Sequence, residues 1–165
     1  DENALIVLFA TCIYGCMLIG CEEEHASGNQ AKHWLTEIFG NEWTINPFPP
    51  GSLISVKGVR RGLDTNDYWM VIQFNTAFTN QIISNLRTKV KSDNVNSISI
   101  IDGSKVGEPV SNEQPPSLWK PETLGDDAIS IGMIRMDGPR KVRARGVIVY
   151  LSSNQGIAYV RCWQL

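Results

Sequence analysis

Residues 146–163 read GVIVYLSSNQGIAYVRCW, and they decide the fold class. Two apolar runs, Gly146 to Leu151 and Ile157 to Trp163, flank the turn formers Ser152-Ser153-Asn154-Gln155-Gly156. Runs rich in β-branched and aromatic residues around such a turn predict an antiparallel hairpin. Working upstream, Ala128 to Met136 and Lys141 to Leu151 read as strands joined by Asp137-Gly138-Pro139. Val95 to Ile101 reads as another, closed by Asp102-Gly103. Leu53 to Arg60 and Tyr68 to Phe74 (YWMVIQF) form a further hairpin across the turn residues from Gly62 to Asp67.

Two helices interrupt the strands. Ala31, Trp34, Leu35, Ile38 and Phe39 recur at helical spacing, predicting a helix from about Asn29 to Phe39. Ser27 or Gly28 would cap its start and Gly40 would stop it. The link Ile45-Asn46-Pro47-Phe48-Pro49-Pro50-Gly51 is turn-rich and stiff. Asn75-Thr76 reads as a cap for a second helix, with Phe78, Ile82, Ile83 and Leu86 on one face up to about Thr88. The order α-β-β-α-β-loop-β-β-β predicts an α+β domain. Its antiparallel sheet should have five or six strands, with both helices packed on one face.

From Gly103 to Gly125 the chain is polar and Pro-rich, a long loop of 23 residues. Trp119 sits within Pro115-Pro116-Ser117-Leu118-Trp119-Lys120-Pro121. It is either an anchor that pins the loop or a binding contact, and the high average burial of Trp favours the anchor. Trp34 and Trp163 fit core positions. Trp69 has the opposite parity from Tyr68, Met70, Ile72 and Phe74, which places it on the other face of the sheet.

The 165 residues carry 15 Lys+Arg against 17 Asp+Glu, a balance that argues against a dedicated nucleic-acid binder. With 42% hydrophobic and 19% charged residues the chain is neither disordered nor collagen-like. The charges are unevenly spread. Ala4 to Gly20 (ALIVLFATCIYGCMLIG) is a run of 17 uncharged residues, followed after Cys21 by Glu22-Glu23-Glu24-His25. As a helix it would span about 25 Å, short of the roughly 30 Å hydrocarbon core.

The tetrad Leu18-Ile19-Gly20-Cys21 resembles the lipobox of bacterial lipoprotein signal peptides. That resemblance implies a diacylglycerol on the Cys21 thiol, cleavage before Cys21, and acylation of the freed amine. Two or three acyl chains anchor stably where one is marginal. The other readings of the block are a retained membrane anchor and a buried apolar helix. The organisation expected is 1–20 as signal peptide or membrane anchor, 21–28 as tether and 29–165 as the domain. Removing residues 1–20 takes away Asp1 and Glu2 and no basic residue, leaving 15 basic and 15 acidic residues.

No nucleotide, metalloprotease, serine-hydrolase or kinase motif is present. His25 falls in the tether and His33 on the polar side of the first helix, neither placed for catalysis. Cys12 and Cys16 lack metal-ligand spacing, and Cys162 reads as a buried thiol, so no disulfide, metal or cofactor is expected. Asp64, Asp67, Asp126 and Asp127 fall at turns, where Asp usually bonds the backbone. Lys141, Arg143 and Arg145 alternate and form a basic stripe. It is a solvated outer face with Val142 and Ala144 inward, a site for anionic headgroups or phosphate, or a docking site for an acidic partner; the solvated face is the default.

Beyond the lipobox, residues 29–165 loosely resemble small envelope lipoproteins in element order, which implies no particular activity. The expectation is a cell-envelope lipoprotein, anchored through lipid on Cys21 with its domain outside the cytoplasm. It would act as a non-enzymatic binding module with a protein partner. The alternatives are a membrane-anchored hydrolase using acidic residues such as Asp64 and Asp67, and an immunity or inhibitor protein.

Overall fold

The computed structural model describes residues 23–41, 46–62, 67–92, 97–102, 114–137 and 143–164. They form seven strands: β1 (Glu24–Ser27), β2 (Leu53–Arg61), β3 (Asp67–Phe74), β4 (Ser97–Asp102), β5 (Ile129–Asp137), β6 (Arg143–Ser152) and β7 (Ile157–Gln164). Helix α1 (Gly28–Thr36) runs on as a π turn over Glu37–Asn41, so Gly40 does not end it as expected. A 3-10 turn (Thr76–Phe78) leads into α2 (Thr79–Ser92). The Asn75 side chain caps that turn by accepting from Ala77 N at 3.0 Å, as its sequence position predicts.

One antiparallel sheet runs in the order β1-β2-β3-β7-β6-β5-β4. The chain lays down β1, β2 and β3 side by side and crosses to the far edge through α2. It then returns strand by strand until β7 pairs with β3. This is the expected α+β architecture with one strand more than the upper expectation of six. The extra strand is β1, in the segment read as tether. Glu24–Ser27 pairs with Arg60–Lys57 and buries Ala26, so half of 21–28 belongs to the sheet. The polar Glu-rich sequence hid this because an edge strand keeps one side in water.

Strand alternation gives the sheet two covered faces. On the first, Tyr68, Met70, Ile72 and Phe74 of β3 join Val147, Val149 and Leu151 of β6 and Ala158 and Val160 of β7. Both helices pack there, α1 through Ala31, Trp34, Leu35, Ile38 and Phe39 and α2 through Ile82 and Leu86. Each such buried aliphatic or aromatic side chain stabilises the fold by about 1.5–3 kcal/mol. On the second face Trp69, Ile148, Tyr150 and Tyr159 meet Trp119, Leu124 and Ala128 of the 114–128 segment. The Pro-rich loop is thus, over its described part, a cover packed on the sheet.

The β6–β7 hairpin turns where expected. Gly156 has φ +64, and a Cβ there would come within 2.7 Å of Phe74 O, so only glycine fits without strain. That backbone meets β3 through Phe74 N donating to Gly156 O at 2.8 Å.

Candidate functional site

The second face carries a row of stacked cations and rings against the cover. Arg161 of β7 lies opposite Trp69 of β3 in register. Its guanidinium carbon is 5.0 Å from the Trp69 ring centroid and 5.7 Å from that of Trp163. Arg61, at the end of β2, stands 5.4 Å from Trp69. Two guanidinium groups therefore share one indole, and that of Arg161 is also held by Trp163.

The two arginines differ in how their charge is met. Arg61 Nη2 is 2.7 Å from Glu23 Oε2, its Nε donates to the same oxygen at 2.9 Å, and Nη1 donates to Gln114 O. Arg61 thereby joins the start of β1 to the start of the cover. Arg161 is only 5% exposed, forms no ion pair with any described carboxylate, and has an enclosed Nε without a hydrogen-bond partner. Its terminal amino groups are not fully enclosed. Trp69, fully buried, also keeps an unbonded Nε1. Asp67, opposite Arg61 in register and in phase with Trp69, adds a buried carboxylate to this face.

Magnitudes show the imbalance. Desolvating one ion costs several kcal/mol even after relaxation. A desolvated cation–π contact returns about 2 kcal/mol or somewhat more. Stacking on two indoles offsets part of the cost of burying Arg161, and the enclosed Arg161 Nε and Trp69 Nε1 gain nothing from water. The chemical group that a planar guanidinium suits best is an oxyanion.

Trp119 lies in the cover, with its ring centroid 5.8 Å from both Tyr150 and Tyr159 in edge-to-face geometry. At 7% exposure it is the anchor expected, not an exposed contact. Asp127 pins the other end of the cover. Its carboxylate accepts from Ser152 Oγ at 2.9 Å, Ser153 Oγ at 3.2 Å and Asn154 N at 2.9 Å. The Asn154 N–H, then the two serine hydroxyls, hold the Asp127 carboxyl below the usual carboxylate range. Asp127 is thus a turn-bonding residue, as its sequence position suggested.

Of the basic stripe, only the side chain of Arg145 falls among the described residues. Lys141 lies outside the described residues, and of Arg143 only the backbone position in β6 is described. Arg145 is half-buried and alternates in phase with Val147, Val149 and Leu151, on the helix-covered face. It is therefore not on a solvated outer face. Cys162 is buried and His33 exposed, as expected. Cys12, Cys16, Cys21, Trp43 and Asp64 lie outside the described residues.

A second concavity, of about 570 Å³, opens on the helix side between α1, the Pro-rich link and α2. Lys32, Asn46, Phe48, Pro50, Gln81 and Asn85 line it. Its amides partly serve the fold: Asn46 Oδ1 accepts from Phe48 N at 2.9 Å, and Asn85 Nδ2 donates to Pro47 O at 3.3 Å. Among the described residues, no carboxylate, histidine or cysteine lines it. Among the described residues no three or more His, Cys, Asp or Glu side chains group to hold a metal. Nor is any described helix long and apolar enough to cross a membrane.

Sequence reasoning missed Arg161 because it lies within an apolar run and reads as an interruption. The available signal was parity: Arg161 and Trp163 alternate in phase, and Trp69 was already assigned to the same face. Comparison with known proteins finds no family model, no curated protein and no solved structure that matches the chain.

Proposed function

We propose that this chain is a cell-envelope lipoprotein whose α+β domain is a non-enzymatic binding module, anchored to the membrane through lipid on Cys21. The observation that carries it is Leu18-Ile19-Gly20-Cys21 closing a 17-residue uncharged run. Strand β1 begins at Glu24, three residues after Cys21, so acyl chains on that thiol would hold the sheet edge close to the membrane surface. The binding half of the proposal is supported by the second face. It offers cations, indoles and enclosed donors without hydrogen-bond partners.

The test is the intact mass of the membrane-extracted protein. The expected species begins at Cys21 and carries acyl chains, and Cys21→Ser abolishes that added mass. An unmodified Cys21 in the membrane fraction would overturn the anchoring.

A further inference from the structure

We propose that Arg161 is the anchor of an oxyanion-binding site, taking a carboxylate or phosphate group of a ligand at the Trp69–Trp163 end of the second face. The site deepens the binding-module proposal and rests on it, but it does not depend on lipid at Cys21. Three observations converge. Arg161 is buried and pairs with no described carboxylate. Its Nε and the Trp69 Nε1 are enclosed donors with no acceptor. The stack between Trp69 and Trp163 holds the guanidinium plane in place before any ligand arrives. A planar fork held this way is preorganised for two parallel bonds to one oxyanion.

Arg61 gives the site its second tier. It shares the Trp69 ring with Arg161, but its charge is met by Glu23. With Asp67 also buried opposite Arg61, the cluster sets two carboxylates against two guanidinium groups, so a ligand would be recognised by the fork geometry of Arg161. Removing the Glu23 charge would leave the cluster net positive.

The experiment titrates the full chain, extracted in neutral detergent, with sodium phosphate and, separately, sodium acetate, at constant ionic strength made up with chloride. The probes are the Arg161 Nε–H and the Trp69 and Trp163 indole N–H signals in ¹H–¹⁵N spectra. The expected result is a saturable shift of these signals with at least one of the two oxyanions. Whichever binds more tightly identifies the ligand group as phosphate or carboxylate. Arg161→Gln should abolish saturation. Because that position is buried, the exposed variant Glu23→Gln gives an independent readout: freeing Arg61 should tighten binding by up to about fivefold, the equivalent of one surface ion pair. Absence of saturation with both anions, or unchanged affinity in Glu23→Gln, would leave Arg161 a structural cation and overturn the site. Neither outcome bears on the acyl mass at Cys21, so the two proposals fail separately.

Discussion

Gly146 should not tolerate a methyl group, and Trp163 is the reason. The two are direct partners across β6 and β7. A Cβ on Gly146 would stand 2.0 Å from Trp163 Cζ2, 2.3 Å from Cε2 and 2.5 Å from Cη2. Ordinary contact begins at 3.4 Å, so the indole must withdraw by about 1.4 Å. The same ring stacks with Arg161, so its withdrawal also disturbs that contact. Gly146→Ala should cost about 1–3 kcal/mol as an overpacked site. This outweighs the roughly 0.5–1 kcal/mol that replacing a strand glycine ordinarily contributes. Urea unfolding of four proteins checks it: wild type, Gly146→Ala, Trp163→Ala and the double variant. With Trp163 removed the clash is gone, and Gly146→Ala should become neutral or stabilising by up to about 1 kcal/mol. An equal loss in both backgrounds, with coupling under about 0.5 kcal/mol, would refute the covering of Gly146 by Trp163.

Two further outcomes follow from the cover. Trp119→Ala should cost about 3–5 kcal/mol and open residues 114–128 to limited proteolysis, while Trp119→Phe should restore most of the protection; continued resistance in the Ala variant would contradict the anchor role. Asp127 has a lowered folded-state pKa, so its stabilisation is complete above the unfolded value near 3.8 and fades as pH falls through the lower folded one. Asp127→Asn should flatten that acid limb by at most about 1 kcal/mol, the group being solvent-screened. Stability curves that run parallel in the two proteins below pH 3.8 would contradict the assignment.

The split of the tryptophans shows how far local pattern reaches. Period-two alternation placed Tyr68, Met70, Ile72 and Phe74 on one face and Trp69 on the other, and the two clusters divide along that line. The helical stripe from Ala31 to Phe39 and the Asn75 cap were legible for the same reason, since both depend on neighbours along the chain. For Arg145 the solvated-face reading failed at the step where local pattern ends. Alternation fixed which side chains travel with Arg145, but only the packing of α1 and α2 decides which face is covered. Strand β1 failed likewise: a four-residue polar segment becomes a strand because β2 offers it an edge.

By itself the amino-acid sequence determined the α+β class, most strand positions, the turn at Ser152–Gly156 and the lipobox-like tetrad at Cys21. These rest on periodicity, turn chemistry and short motifs, all properties of contiguous residues. The tertiary structure alone decided the strand order, with β7 inserted between β3 and β6, and the covering of the second face by the 114–128 segment. It alone brought Arg61, Trp69, Arg161 and Trp163 into one row. Those residues come from three strands separated by up to 102 positions in the chain, and no local energy term connects them. Their meeting is a consequence of sheet register, which is set by burying both faces at once.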